Sequence, residues 1–111
     1  MRARANSSWT FLSNHAHVLL CIASDPEARL RDVAEQVGIT ERAVQKIVSE
    51  LEQGGALTRT RDGRRNRYVI HVDCPLRHPM DQHQTVGKLL AVVLSPARVR
   101  TIRSQGQASE Q

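Results

Sequence analysis

The 111-residue sequence predicts an α+β, mostly helical fold: a three-helix core, then a two-stranded β-hairpin, then one additional C-terminal helix. Three observations carry the prediction. Apolar residues recur at helical spacing in three stretches between residues 12 and 51, the period drops to two beyond Gly54-Gly55, and Asp62-Gly63 separates the two alternating stretches with a strong hairpin-turn signal. The length allows one modest core and not two.

Residues 1–11 read as an N-terminal arm. In the first helix Leu12, Ala16, Leu19, Leu20 and Ala23 form one stripe, Ser13 or Asn14 can cap its start, and Asp25-Pro26 stops it. Leu30 is expected to pack inward as a short extended piece. A short second helix follows, with Val33, Ala34 and Val37 on one face and Gly38 as its stop. The third helix has the clearest pattern. Thr40 can cap it, Glu41 suits its first turn, Ile39 and Val44 sit at the two positions of a hydrophobic staple, and Val44, Ile47, Val48 and Leu51 share a face before Gly54-Gly55.

The strands are then "ALTRTR" and "NRYVIHV", with Leu57, Tyr68, Ile70 and Val72 facing the core and arginines alternating outward. Asp62-Gly63 is the expected turn, with Arg64 and Arg65 at the tip. "DCPLRHP" is a proline-punctuated connector, and a helix is expected from about Pro79 to Leu94, weakened by Gly87 and ended by Ser95-Pro96. Residues 96–111 are polar and basic with little to bury, and are expected to be disordered or only partly helical. The resulting division is 1–11 arm, 12–72 core domain, 73–95 connector and C-terminal helix, and 96–111 tail.

The formal net charge of +5 favours an anionic partner. It is unevenly placed. Asp25 to Gly55 carries seven acidic and four basic residues, a net of −3, whereas Ala56 to His78 carries six arginines against two aspartates, a net of +4. Cys21 and Cys74 are too few for a disulfide framework, which makes a reducing cytoplasm the default. The N-terminus has no apolar run of the kind that a signal peptide or membrane helix needs.

No Ser-His-Asp set, paired-carboxylate site or Gly-rich phosphate loop appears, and a chain this short has little with which to wall off a substrate cleft, so no enzymatic activity and no cofactor are expected. His71, Asp73, Cys74, His78, Asp81 and His83 lie close in sequence, but they straddle a connector and two elements without a metal-fixing spacing, so no metal site is expected. Cys21 reads as a packing residue, and His15 and His17 as exposed residues of a helix start.

Helix, short helix, tight turn, capped helix, double glycine and basic hairpin, in this order, resemble a winged helix-turn-helix transcriptional regulator of the broad type that includes the MarR-like and ArsR-like bacterial families. The resemblance runs from about Asn14 to Val72 and rests on Val33-Ala34, Gly38-Ile39-Thr40, Val44, Leu51 and Gly54-Gly55. It implies that the third helix enters the major groove and that the hairpin is a wing. The outward face of that helix is Arg42, Gln45, Lys46 and Ser49. Arg42 is expected on guanine, Gln45 on adenine, and Lys46 and Ser49 on phosphates or mixed contacts. In the wing, Arg64 and Arg65 are expected at the minor groove or its flanking phosphates, with Arg61 and Arg67 behind them.

Arg31, Thr40 and Glu41 complete the candidate DNA-contact set. Arg31 stands where a helix cap is usual, and either starts the second helix weakly or touches phosphate. Thr40 serves as a cap, while Glu41, like Glu50, would repel phosphate if it faced the backbone. The cysteine motif of metal-sensing ArsR-like repressors is missing from "ARLRDVAE", and the terminal helices that frame a ligand pocket in MarR-like proteins are shorter here, so an effector is left open. The expected partners are double-stranded DNA and a second copy, paired through Leu12–Ala23 and Met80–Leu94. The rival readings are a winged-helix protein-interaction module and a ligand- or redox-responsive sensor using Cys74 and the histidines.

Overall fold

The computed structural model describes residues 9–109, so Arg2 and Arg4 of the expected arm lie outside the described residues. The element order is α1 (Asn14–Ser24), α2 (Leu30–Val37), α3 (Glu41–Gln53), β1 (Leu57–Asp62), β2 (Arg65–Ile70), α4 (Val86–Val93) and α5 (Pro96–Ser109). The mostly helical α+β architecture with a hairpin after the third helix is as expected.

Helix α1 starts where Ser13 accepts a hydrogen bond from the Ala16 amide at 3.2 Å. Its most buried residues include Val18 and Ile22, both fully inaccessible, beside Leu19 and Ala23. The buried face is therefore rotated from the expected stripe. Leu12 precedes the helix and is only half-buried, and Leu20 is likewise partly exposed.

Helix α2 starts two residues earlier than expected: Leu30 is its first residue, not an extended piece. Arg29, not Arg31, holds the cap position, and it provides no side-chain cap; instead its guanidinium reaches Asp32 in the first turn at 3.3 Å. The helix ends at Gly38 in the left-handed region (φ 88°), whose N–H returns to the Ala34 carbonyl.

Val33, Val37, Val44, Ile47 and Val48 meet α1 between the helices, and Leu57, Tyr68, Ile70 and Val72 close the remaining side of the core. The hairpin is antiparallel, with Leu57 opposite Ile70, Arg59 opposite Tyr68 and Asp62 opposite Arg65. Along the outer edge of β2 runs the α1–α2 linker, where the Tyr68 amide donates to the Pro26 carbonyl at 3.2 Å.

Two C-terminal expectations are corrected. The helix expected from Pro79 begins only at Val86, capped by Thr85. Residues before it are held in tight turns, with the Asp81 amide donating to His78 and the Gln84 amide to Asp81, both at 2.8 Å, while Leu76 and Val86 bond across to Gln84 and Cys74. Backbone groups committed this way are not free to propagate a helix. Gly87 belongs to a close approach: its amide donates to the Val72 carbonyl at 2.8 Å, and a Cβ there would stand 3.0 Å from that oxygen.

The tail, expected to be disordered or partly helical, forms α5. Ser95 accepts from the Arg98 amide at 3.2 Å, and Pro96 occupies the first helical position, where its missing N–H costs nothing. Ser95-Pro96 thus ends one helix and starts another. Ile102, 2% exposed, anchors α5 in the core beside α4 and β2. Arg98 donates to the Ser24 carbonyl, and Arg103 reaches Asp73 at 3.6 Å.

Of the α1 stripe expected to serve a partner copy, Leu19 and Ala23 are buried in the chain's own core, while Leu12, Ala16 and Leu20 are only partly buried. Among the described residues, the large apolar ones left exposed are Trp9, Phe11, Met80, Val92 and Val93. Among the described residues, no helix is long and apolar enough to cross a membrane.

Candidate nucleic-acid interface

Helix α3 is capped at its start and buried along one face. Thr40 accepts from the Ala43 amide at 3.0 Å, which satisfies one of the amides that a helix start leaves unpaired. With Val44 and Val48 fully buried and Ile47 nearly so, the rotation of the helix about its axis is fixed. Arg42, Gln45 and Lys46 are consequently exposed together, and Ser49 lies half-buried among them. Five guanidinium donors, an amide with both donor and acceptor, and an ammonium share one accessible face.

Two carboxylates flanking this face are occupied. Glu50 meets His15 Nε2 at 2.7 Å, an ion pair or charge-assisted hydrogen bond that ties α3 to the start of α1. An ionised carboxylate only accepts, so Nε2 carries the proton. This bond is the main cause of a Glu50 carboxyl held below the ordinary carboxylate range, with a smaller contribution from Lys46. Glu52 meets Arg59 at 3.3 Å and ties α3 to β1. The His15 and Glu52 partnerships join residues 35 and 7 positions apart, and only the first is beyond the reach of local pattern.

The hairpin turn is displaced by one residue from its expected place. Asp62 still pairs with Arg65, so the two-residue loop is Gly63-Arg64. Gly63 takes φ 68° and Arg64 stays at negative φ, the pattern of a type II′ turn, which needs glycine first. Arg64 is therefore the tip. Arg61 extends on the hairpin face that Leu57, Arg59 and Tyr68 share, and its Nε donates to the Gly63 carbonyl at 3.4 Å. Arg65 and Arg67 lie on the other face, where both reach Glu27, at 3.6 and 3.8 Å.

A family model described as winged helix-turn-helix DNA-binding matches residues 14–58. Those residues fold as the helix-turn-helix part of a winged helix-turn-helix. The match takes in the first two residues of β1, and the structure completes the winged helix-turn-helix with β2 and the Gly63-Arg64 tip. The fold is also that of the PcaV transcriptional regulator from Streptomyces coelicolor, solved with its natural ligand: 23% identity over 94% of this chain and 77% of that one, TM-score 0.50. A Mycobacterium tuberculosis MarR family protein, Rv2887, solved with salicylic acid, aligns at 19% identity and TM-score 0.49, over 88% of this chain. This chain spans 65% of the length of Rv2887. No curated protein matches the chain.

Within the winged helix-turn-helix, the structure brings Arg42, Gln45, Lys46 and Ser49 together on α3 and puts Arg61, Arg64, Arg65 and Arg67 on the wing. Glu41 is exposed in the first turn of α3, and Arg31 is exposed in the first turn of α2. Of the histidines and cysteines downstream, His71 is engaged by the Thr58 hydroxyl and His78 accepts from the Met80 amide at 3.0 Å. Burial raises both the Cys21 and Cys74 thiols, with Arg77 partly opposing the rise at Cys74, so both favour the protonated form.

Beneath the domain, a cavity of about 590 Å³ opens between α1, the end of α3, the connector and α4. Leu12, Leu19, Leu51 and Leu89 make its walls apolar, and His15 and Arg77 bring polar groups to it.

Proposed function

We propose that the chain is a transcriptional regulator that binds double-stranded DNA sequence-specifically, acting by occupancy and not by catalysis. The observation that carries this is the accessible Arg42-Gln45-Lys46 face on a capped, rotationally fixed helix beside a basic wing, within a segment matched as a DNA-binding domain. Arg42 and Gln45 read base edges in the major groove, Lys46 and Ser49 hold phosphates, and Arg64 leads the wing to the minor groove or its flanks. Arg61, Arg65 and Arg67 add charge behind the tip. Arg31 and Thr40 face the backbone, and Glu41 limits approach on its own side. An interaction module of the same fold would carry an apolar patch on this face, and the face is charged and polar.

The working form is a homodimer in the cytoplasm. Val92, 81% exposed, and Val93, together with Trp9 and Phe11, are apolar surface that a second copy would cover. Two α3 helices about 34 Å apart then fit successive major grooves. The apolar cavity gives a small effector a place to bind between this surface and α3.

Selection from a random duplex pool, followed by affinity against salt concentration, tests the reading. Wild type is expected to enrich a palindromic motif. Arg42→Ala is expected to lose roughly 1–3 kcal/mol of discrimination at one position of each half-site. Joint Arg64→Ala and Arg65→Ala is expected to flatten the salt dependence. Failure to retain any duplex at low salt overturns the proposal.

A further inference from the structure

We propose that Glu27, in the linker between α1 and α2, is a positioning residue of the DNA interface that holds Arg65 and Arg67 back and leaves Arg64 to lead the wing; this rests on the DNA-binding reading above. One carboxylate serves both arginines, Oε1 toward Arg65 at 3.6 Å and Oε2 toward Arg67 at 3.8 Å. The two arginines alternate along β2 and so project from the same face of the hairpin.

Glu27 is not placed there by chance flexibility of a loop. Its own amide donates to the Asp25 carboxylate at 3.1 Å, forming a local turn, and the residue before it accepts from the Tyr68 amide of β2. Tyr68 is 2% exposed, so the linker is fastened to the buried root of the wing while Glu27 reaches along its outer face. Among the described residues Arg64 has no ion-pair partner. Of the four arginines nearest the tip, Arg61, Arg64, Arg65 and Arg67, two therefore have their charge partly answered within the chain.

The consequence is a discount on non-specific binding. A phosphate approaching Arg65 or Arg67 competes with a carboxylate already in place and meets its repulsion, so the sequence-independent attraction falls. Exposed pairs of this kind are weak, and a correctly seated duplex can displace them. Holding the two side chains against the linker also leaves fewer wing conformers to order when Arg64 enters a groove.

The test measures binding to the selected duplex and to a scrambled duplex across a salt series for four proteins. These are wild type, Glu27→Gln, the joint Arg65→Ala and Arg67→Ala variant, and the combination of all three substitutions; circular dichroism verifies that each is folded. Glu27→Gln is expected to tighten scrambled-duplex binding about three- to tenfold at low salt, and to steepen the slope of log K against log salt by about one. The ratio of specific to scrambled affinity is expected to fall. In the background lacking both arginines, the same Glu27→Gln change is expected to have little effect. Unchanged affinity and slope in Glu27→Gln, with wild type still binding its motif, overturn the role of Glu27 and leave the DNA reading standing. An equal gain with and without the arginines also overturns it, since Glu27 then acts by general repulsion. If wild type binds no duplex at all, the DNA reading fails and this role fails with it.

Discussion

Replacing Ile102 by alanine tests whether the C-terminal helix is part of the folded unit. Among the described residues, Ile102 is the one residue of α5 in the buried core, 2% exposed, and it packs where α4 and β2 come together. The substitution removes three carbon groups, and at roughly 0.8 kcal/mol for each the lost burial is about 2–3 kcal/mol before any cavity cost. The cavity term is expected to be small, because α5 is held in the core chiefly through Ile102 and can lift away instead of leaving a void. The loss is then limited to what docking of α5 contributes. Urea unfolding followed by circular dichroism gives the total, and amide hydrogen exchange shows where it falls. Exchange protection is expected to drop first along α5, while α1, α2 and α3 keep theirs to the global unfolding limit. A change in stability under about 0.5 kcal/mol would refute the docking of α5, as would unchanged exchange along α5.

Three further outcomes are expected. Thr40→Ala should cost about 1 kcal/mol of stability through loss of the bond to the Ala43 amide, and Thr40→Ser, which keeps the oxygen, should recover most of it in the same unfolding assay. Gly87→Ala sets a helix-propensity gain of about 0.5–1 kcal/mol against an overpacking cost of about 1–3 kcal/mol. With Val72 backbone at 3.0 Å the cost should win, giving a lower thermal midpoint. For Glu50, the folded carboxyl sits below the ordinary range because of His15, so its contribution is present above the unfolded value, about 4.3, and is lost as pH falls through the folded value. The stability difference between wild type and Glu50→Gln should therefore shrink on acidification below about pH 4, and a difference that grows there would contradict the sign.

The sequence alone determined the helical core and the order of its parts, because these depend on contacts within a few residues. The Thr40 cap, the spacing of Val44, Ile47 and Val48, and the change of period after Gly54-Gly55 are local signals, and the structure places all three as read. The outward set on α3 followed by complement: once the buried face is fixed, Arg42, Gln45 and Lys46 are exposed and Ser49 is half-buried beside them. The hairpin was also local, though its loop lies one residue later, since Asp62 completes a cross-strand pair and Gly63 supplies the positive φ.

Only tertiary structure decided the rest. Val99 and Ile102 are the only large apolar residues in a basic stretch, too little to announce a helix, and the segment becomes one because α4 and β2 offer Ile102 a site. Residues 79–84 contain no signal against helix strong enough to predict the turns that His78 and Asp81 close. Glu27 meets arginines about forty positions away, and His15 meets Glu50 across two helices, so neither pairing has any trace in spacing. Helices and turns are written in neighbours along the chain, whereas which charge answers which is settled when the core brings distant segments to the same surface.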